Sequence, residues 1–386
     1  MKNNRVTQLM RKYELNNLLL KSVAVTCLAA SLATVSALPA MASEEKVLNL
    51  FNWSDFIADD TIKNFEKETG IKVHLDTYDS NEILHAKLTL GSTGYDVVIP
   101  AAHWGNMQIQ AGLIRKIDKR KLPNLANLDP VIQEQLAKLD PDNQYLVPWL
   151  WGYTTVGINT AKVKAALGTL PMPVNPWELV FNPVYASKLK SCGISFLDTP
   201  SDILPPALAY IGKDPFSTNK ADYLEAGRML AKIRPYVTLF STTSYVSDMT
   251  NGALCASIAW SGDMNLSQRD AKEAKNGNNI VALIPKTGGV LFFDVMAIPA
   301  DAPHPENAHL WMNYIMRPEV QANLTNKVRY ANPNAASRKF ILKELSQDKT
   351  IFLTDADMKN MVAPKLMSID LRRTATRVFI HFKSGD

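Results

Sequence analysis

The sequence has few of the residues from which catalytic and metal centres are usually built. Its 386 residues include three cysteines and six histidines, and the histidines are scattered along the chain. It contains no His-Glu-x-x-His, Gly-x-Ser-x-Gly, P-loop or glycine-rich dinucleotide motif. We therefore predict no metal or other cofactor and no enzyme. An exported hydrolase, with a Ser/His/Asp set brought together only by folding, is the alternative.

An excess of one charge is also lacking. The chain carries 42 basic and 37 acidic residues, but residues 1–42 hold five of the basic residues and one of the acidic ones. The remainder is close to neutral and contains no run of basic residues. This balance argues against a nucleic-acid partner and against binding to an anionic membrane surface.

No segment beyond residue 42 is long and apolar enough to predict a membrane span. The N-terminal residues are basic, a small-residue apolar run covers 22–38, and Ala40-Met41-Ala42 fits the small-residue cleavage rule. The run over 22–38 is itself too short and too rich in Ser, Thr and Ala for a span. We expect residues 1–42 to be a signal peptide that is cleaved after Ala42, so that the mature chain is exported and begins at Ser43.

Only two cysteines fall outside the predicted signal peptide, Cys192 and Cys255. In an exported chain such a pair predicts one disulfide. Closing a loop of that length would stabilise the fold by roughly 4 kcal/mol. Two buried free thiols are the alternative, whereas two cysteines without a nearby histidine pair do not suit a metal ion.

The patterning after the signal peptide predicts alternating strands and helices. Apolar, β-branched runs over 47–51, 71–75 and 96–100 read as strands. Helices are predicted to begin near Asp59 and after Ser80, and glycines follow both. Such β-α-β-α-β alternation is typical of a parallel sheet covered by helices on both faces.

Two long apolar segments, 145–159 and 288–299, predict strands that cross between two domains. Between them, a strand ending at Asp198, a helix over 220–233 and a strand over 256–260 indicate a second α/β unit. About 344 residues exceed what one core usually organises. The predicted division is a signal peptide over 1–42, a first domain over 43–150 and 283–334, a second domain over 151–282, and a C-terminal helical segment over 335–386 assigned to the second domain.

An aromatic residue recurs near a carboxylate just after a predicted strand. This combination suits an organic cation, because the ring offers a π face and the carboxylate offers a charge-assisted hydrogen bond. The alternative is structural, with Ser54 or Asp55 capping a helix and the rings packed in a core. The pairs are Trp53 with Asp55, Trp260 with Asp263, and Phe292 with Asp294, and Asp202 marks a fourth, purely acidic position.

A resemblance to a known family rests on several motifs taken together. They are FNWSDF at 51–56, NFEKETGIKV at 64–73, SCGISFLD at 191–198, WSGD at 260–263, FFDV at 292–295 and YAN at 330–332. With the signal peptide, they resemble the periplasmic polyamine-binding proteins of bacterial ABC importers. The resemblance implies an α/β fold of the two-domain, type II periplasmic binding protein, with the ligand cleft at the interdomain hinge. Cys192 and Cys255 match the disulfide of that family.

The resemblance also implies a ligand-binding set. Positions that match the family are Trp53, Ser54, Asp55, Trp260, Asp263, Phe292, Asp294 and Tyr330. Four positions depart from its putrescine-binding pattern. Phe56 stands in place of a tyrosine, Ala101 and His103 in place of two serines, and Asp202 in place of a glutamate. A protonated His103 facing the cleft would repel an amine.

The implied function is that of a monomeric periplasmic protein that captures putrescine and passes it to a membrane-embedded ABC permease. The four departures leave the ligand open among putrescine, spermidine, cadaverine and agmatine. A role as a sensor on the same fold is a further alternative.

Overall fold

A computed structural model describes residues 44–385, and the predicted signal peptide lies outside them. Within the described residues no helix is both long and apolar enough to cross a membrane. The strands are β1 (Val47–Trp53), β2 (Lys72–Tyr78), β3 (Val97–Val98), β4 (Ile114–Arg115), β5 (Val147–Asn159), β6 (Ile194–Phe196), β7 (Leu239–Phe240), β8 (Ala256–Trp260), β9 (Ile280–Leu283), β10 (Gly289–Met296), β11 (Ile298–Pro299) and β12 (Met361–Val362).

The helices alternate with these strands over most of the chain. They are α1 (Asp59–Thr69), α2 (Asn81–Leu90), α3 (Ala102–Gln110), α4 (Pro130–Ala137), α5 (Thr160–Leu167), α6 (Glu178–Phe181), α7 (Pro183–Leu189), α8 (Pro200–Tyr210), α9 (Lys220–Ile233), α10 (Tyr245–Thr250), α11 (Ser261–Glu273), α12 (Pro305–Ile315), α13 (Pro318–Val328), α14 (Lys343–Ser346), α15 (Asp355–Met358) and α16 (Ile369–Ser384).

The first sheet is parallel, as the alternation of its elements predicts. Its order is β2-β1-β3, and Val47 pairs with Lys72 while Leu50 pairs with Val97. Helix α1 ends at Gly70, whose left-handed φ of 69° lets its N–H reach the Glu66 carbonyl. The β-α-β order therefore brings the carboxyl ends of β1 and β3 to the same edge of the sheet.

The larger sheet is mixed rather than parallel. Its order is β12-β10-β5-β8-β6-β7, with β9 also paired to β5. The long strand β5 runs antiparallel to β8, β9 and β10, whereas β6 is parallel to β7 and β8. The expectation of parallel pairing thus holds among β1, β2 and β3 and among β6, β7 and β8. It fails for β5, whose three partners are antiparallel, and for the short pair β4 and β11.

Two buried cores flank these sheets. The first core gathers residues of β1, β3, α1, α12 and α13, and the second gathers residues of β6, β8, α8, α9 and α16. Strand β5 contributes to both, with Val147 and Trp149 in the first core and Val156 and Ile158 in the second. Trp260 packs against both cores. A change in the packing of either core would therefore be felt by Trp260.

The disulfide predicted from the cysteine count is present between Cys192 and Cys255, with Cα atoms 5.5 Å apart. The alternative of two free thiols is therefore wrong. Both cysteines precede strands that pair with each other, since Ile194 of β6 lies opposite Ala256 of β8. The crosslink thus ties the starts of two neighbouring strands in the second core.

Candidate functional site

One cavity of about 1000 Å³ is lined by residues from both ends of the described chain. Every residue proposed from the sequence as a ligand contact lies on its wall. These residues are Trp53, Ser54, Asp55, Phe56, Ala101, His103, Asp202, Trp260, Asp263, Phe292, Asp294 and Tyr330. Elements far apart in sequence therefore bring the aromatic and acidic residues of the sequence analysis together.

Trp53 is the last residue of β1, and its indole N–H is already satisfied. The Nε1–H donates to the Ile99 carbonyl oxygen at 2.8 Å, and the Tyr78 hydroxyl donates to the same oxygen. The Trp53 and Tyr78 rings are tilted at 48° with centroids 4.6 Å apart. With its polar edge occupied, Trp53 offers the cavity a π face.

The capping alternative for Ser54 and Asp55 is wrong. Helix α1 begins at Asp59, and its N-cap is Ala58, which makes no side-chain capping hydrogen bond. Asp55 instead adopts a left-handed φ of 55° and is exposed beside the cavity. An aspartate tolerates this conformation better than most residues. Its carboxylate is therefore available to the cavity rather than to a helix end.

Asp202 holds Trp260 in place. One oxygen of Asp202, Oδ1, accepts the indole N–H of Trp260 at 3.1 Å and the hydroxyl of Thr154 at 3.0 Å. Burial raises the pKa of Asp202, and these hydrogen bonds oppose the rise. The Trp260 ring then meets the Trp53 ring edge-on, with centroids 5.9 Å apart. The two tryptophan rings thus meet edge to face, and the hydrogen bond to the Asp202 carboxylate fixes the orientation of the Trp260 ring.

Asp263 lies in the first turn of α11 and is held by two tyrosines. The Tyr330 hydroxyl donates to Oδ1 at 2.5 Å, and the Tyr245 hydroxyl donates to Oδ2. Burial raises the pKa of Asp263 to about 6, and the charge of Asp55 adds to this rise, while the two hydroxyls oppose it. A cation beside Asp263 would favour its ionised form.

Asp294 lies inside strand β10, so its predicted position after a strand is wrong. Its neighbour Val295 donates to the Pro100 carbonyl at 2.9 Å, next to an irregularity in the pairing of β10 with β5. The residue is only 4% exposed, and within residues 44–385 nothing donates a hydrogen bond to its carboxylate. Burial raises the pKa of Asp294 well above its ordinary value, and the charge of Asp202 raises it further. A buried carboxylate without donors is costly as an anion unless a cation pairs with it.

Three further aromatic residues line the cavity and lie close to one another, namely Phe56, Phe292 and Tyr330. The Phe56 and Tyr330 rings meet at 89° with centroids 4.7 Å apart, and Phe292 lies 6.2 Å from Tyr330. Sequence reasoning missed the two glycines that make room for these rings. A Cβ at Gly152 would come within 2.8 Å of the Phe292 ring, and one at Gly262 within 2.2 Å of the Tyr330 ring. The signal that could have revealed this was a glycine close in sequence to a predicted aromatic contact, such as Gly262 after Trp260.

His103 and Ala101 lie at the start of α3. The Ala101 N–H donates to Asn81 Oδ1 at 3.0 Å, and the half-buried His103 lines the cavity. Burial lowers the pKa of His103 to about 4. The imidazole is therefore neutral at pH 7, and the repulsion expected of a protonated His103 does not arise.

The sequence analysis also missed the contribution of the C-terminal segment. Residues 364–367 and the first turns of α16 line the cavity, together with Glu82 of α2. Helix α16 packs on α9, and its apolar side, including Val378 and Phe379, belongs to the second core. The sequence predicted a helical segment here from weak patterning, which carried no sign of which polar residues face a cavity.

The two cores and the cavity of carboxylates and rings define a solute-binding protein of the type II periplasmic binding class. The chain belongs to the bacterial extracellular solute-binding protein family, which it matches over residues 60–352. The fold expected from the resemblance is confirmed. A putative spermidine/putrescine ABC transporter protein of Listeria monocytogenes superposes with a TM-score of 0.78 at 28% identity, covering 88% of this chain and 99% of that one.

Curated relatives match over nearly the whole chain. The putrescine-binding periplasmic protein PotF of Escherichia coli is 44% identical over 89% of this chain and 93% of its own. The putrescine-binding periplasmic protein SpuD of Pseudomonas aeruginosa is 43% identical over 95% of this chain and 100% of its own. A spermidine/putrescine-binding periplasmic protein of E. coli is 32% identical over 86% and 90%. The relatives are thus periplasmic binding proteins, which are transport components rather than enzymes.

Proposed function

We propose that this protein captures putrescine in the periplasm and delivers it to an inner-membrane ABC permease. The observation that carries the proposal is Asp294, a buried carboxylate on the wall of an aromatic cavity that receives no hydrogen bond from residues 44–385. An ammonium group would supply both the charge and the donors that this carboxylate lacks. The names of the relatives PotF and SpuD support the same ligand.

The proposed pose places one ammonium at each acidic end of the cavity. Asp294 takes one ammonium, and Asp263 takes the other with Asp55 reinforcing the negative charge. The four methylenes lie between them, against the faces of Trp53, Trp260, Phe292 and Tyr330. Ser54, Phe56 and Asp202 complete the wall, and Ala101 and His103 close it beside α3. Aromatic faces suit both the apolar chain and the flanking cations.

The size of putrescine limits its affinity. Six heavy atoms at a ceiling of about −1.5 kcal/mol each allow about −9 kcal/mol, which corresponds to a dissociation constant near or just below micromolar. Such tight binding by a small ligand requires nearly every polar group to be satisfied. Loss of the hydroxyls that Phe56 and Ala101 lack is expected to place this protein toward the weaker end of that range.

Delivery is proposed to follow a shift between two arrangements of the chain. A ligand that contacts residues of both cores stabilises the arrangement in which those residues are closest. The proposed domains are 43–150 with 283–334, and 151–282 with 335–386. The proposed mature protein is a monomer that starts at Ser43, after removal of the signal peptide, and performs no covalent chemistry.

Calorimetric titration of the mature protein with putrescine tests the proposal. The protein is first unfolded and refolded to remove any co-purified amine, and cadaverine and agmatine are titrated in parallel. One-to-one binding of putrescine near micromolar or tighter is expected. A response to another amine alone would make Ala101, His103 and Asp202 the residues that changed the ligand. Silence to every amine would refute the proposal.

The Asp294→Asn variant tests the proposed role of the buried Asp294 carboxylate directly. It preserves the shape of the side chain but removes its charge, so putrescine binding should fall at least about a hundredfold, as expected for a buried charge pair. The matched control is Asp355→Asn, which alters an exposed aspartate that does not line the cavity. Unaltered affinity in Asp294→Asn would contradict the proposed pose.

A further inference from the structure

The cavity is not acidic throughout, because helix α16 and its neighbours also bring cations to the wall. The lining cations are Lys220, Lys365, Arg372, Arg373 and Arg377. Most are already paired. Lys220 and Arg373 lie 3.6 Å and 3.9 Å from carboxylate oxygens of Asp370, and Lys365 lies 3.1 Å from Asp214. Each of these three cations therefore has a carboxylate close by, although Lys220 and Arg373 share one, and solvent screens all three pairs.

Arg372 is different from these paired cations. Within the described residues no carboxylate oxygen lies within 4.0 Å of its guanidinium, which donates one hydrogen bond, from Nη1 to the Met107 sulfur at 3.2 Å. Its Nε–H is shielded from solvent and finds no acceptor among the residues that the structure describes. Arg377 also has no carboxylate in range among residues 44–385, but it is exposed, whereas Arg372 is half-buried. Arg372 is thus a partly desolvated cation on the cavity wall.

The contacts of Arg372 show where it lies relative to the carboxylates of the cavity. Met107, which it contacts, follows His103 by one turn of α3. Glu82 interacts electrostatically with both Asp202 and Arg372: desolvation and the charge of Asp202 raise its pKa, and Arg372 opposes the rise. Asp202 in turn acts on Asp294. Backbone contacts place these groups in the part of the wall beside α2 and α3. Ala101 forms an isolated antiparallel bridge with Asp294 and donates to Asn81, the neighbour of Glu82, while Arg372 contacts Met107 further along α3.

We propose that Arg372 sets the length of the polyamine that the cavity accepts. The inference rests on the proposed function. A diamine held between Asp263 and Asp294 ends before this region. A linear triamine in the same pose must extend its third ammonium past Asp202 toward Glu82, and there the guanidinium of Arg372 repels it. Glu82 alone would attract that ammonium, so Arg372 turns an accepting position into an excluding one.

Calorimetric titrations with putrescine and spermidine test the proposal in four proteins: the wild type, Arg372→Gln, Arg372→Lys and Arg228→Gln. Removing the charge should strengthen spermidine binding by about tenfold or more, because two like charges a few ångströms apart in a partly dry site repel strongly. Putrescine affinity should change by less than about threefold, since its ammonium groups lie farther away. Arg372→Lys keeps the charge and should resemble the wild type.

Arg228→Gln is the matched control, because it removes the same charge from an exposed position on α9 that does not line the cavity. It should leave both affinities unchanged. Equal spermidine affinity in the wild type and Arg372→Gln, with putrescine bound normally, would overturn the role of Arg372 and leave the proposed function standing. Strengthening by Arg228→Gln as well would also overturn it, since net charge would then be the cause. Failure of the wild type to bind putrescine would overturn both.

Discussion

In the proposed pose, Asp263 is expected to couple ligand binding to proton release. Its pKa is raised to about 6 by burial, and an ammonium beside it would stabilise the ionised form and so lower that pKa. Below pH 6 the ligand must displace a proton, whereas above pH 6 the carboxylate is already ionised. We therefore expect the affinity for putrescine to rise as the pH increases toward 6 and the contribution of Asp263 to level off above it.

Titrations from pH 5 to pH 8, in buffers of different ionisation enthalpy, measure this release. Asp263→Asn should bind more weakly and should lose the part of the pH dependence centred near 6. His103 provides no comparable step in this window, because its pKa is lowered to about 4. Asp294, whose pKa burial raises well above its ordinary value, adds a further rise of affinity with pH that Asp263→Asn leaves in place. An affinity that fell with rising pH between 5 and 6 would show that Asp263 does not pair with an ammonium.

Asp202 is expected to act mainly by positioning Trp260. Asp202→Asn keeps an oxygen that can accept from Trp260 and Thr154, whereas Asp202→Ala removes it. The alanine variant should weaken putrescine binding by about 1–3 kcal/mol, the range for losing a hydrogen bond to a charged group, and the asparagine variant should lose less. Calorimetry measures both affinities, and tryptophan fluorescence reports the freed indole. Equal losses in the two variants would instead assign a direct charge role to Asp202.

At the scale of elements, the disulfide stabilises the second core by restricting the unfolded chain. Cys192 and Cys255 are 63 residues apart, and neither lines the cavity. The double variant Cys192→Ala/Cys255→Ala should lower the free energy of unfolding by about 4 kcal/mol, as measured by urea denaturation. Its putrescine affinity should stay close to that of the wild type. A loss below about 1 kcal/mol would mean that the strand pairing of β6 with β8 holds this region without the crosslink.

The elements also show where sequence reasoning succeeds. An apolar run followed by polar residues marks the end of a buried strand, and this signal correctly placed Trp260 at the end of β8. It placed Trp53 just beyond a strand over 47–51, whereas β1 continues to Trp53 itself. The same reasoning placed Asp294 after a strand, but it lies within β10. An aspartate inside an apolar run carries no local mark of whether the strand continues, because the pairing with β5 that decides this is not local.

At the scale of the whole molecule, binding should raise thermal stability. A ligand that binds only the folded protein adds about 2.7 kcal/mol at one hundred times its dissociation constant. For a chain of this size that corresponds to a rise in the melting temperature of about 4 °C. Differential scanning fluorimetry with putrescine measures this rise in melting temperature. Asp294→Asn, which should bind putrescine much more weakly, is expected to show no such rise. Equal shifts in both proteins would indicate binding outside the cavity.

Some features of the whole molecule could also be predicted from the sequence, and others could not. The family motifs, the acidic and aromatic residues and the crossing strand β5 were all readable from the chain. The contribution of α16 was not, because Arg372 resembles any polar residue on an amphipathic helix until the helix is docked on α9. Charges that tune a site from a distant segment depend on tertiary packing, for which the sequence has no local signal.

The location of Asp294 in a paired strand has a consequence for how this protein could acquire new ligands. The neighbours of Asp294 on both sides, Phe293 and Val295, pair with β5, so Asp294 cannot be shifted by inserting or deleting neighbours without breaking backbone pairing. Ala101, His103, Asp202 and Arg372 instead stand in or beside the first turns of α3, α8 and α16. Substitution there leaves the ladder intact. In the proposed pose, the anchor for one amine thus lies in a strand, whereas the adjustable positions lie at helix starts, so we expect that specificity can change while recognition of a cation is retained.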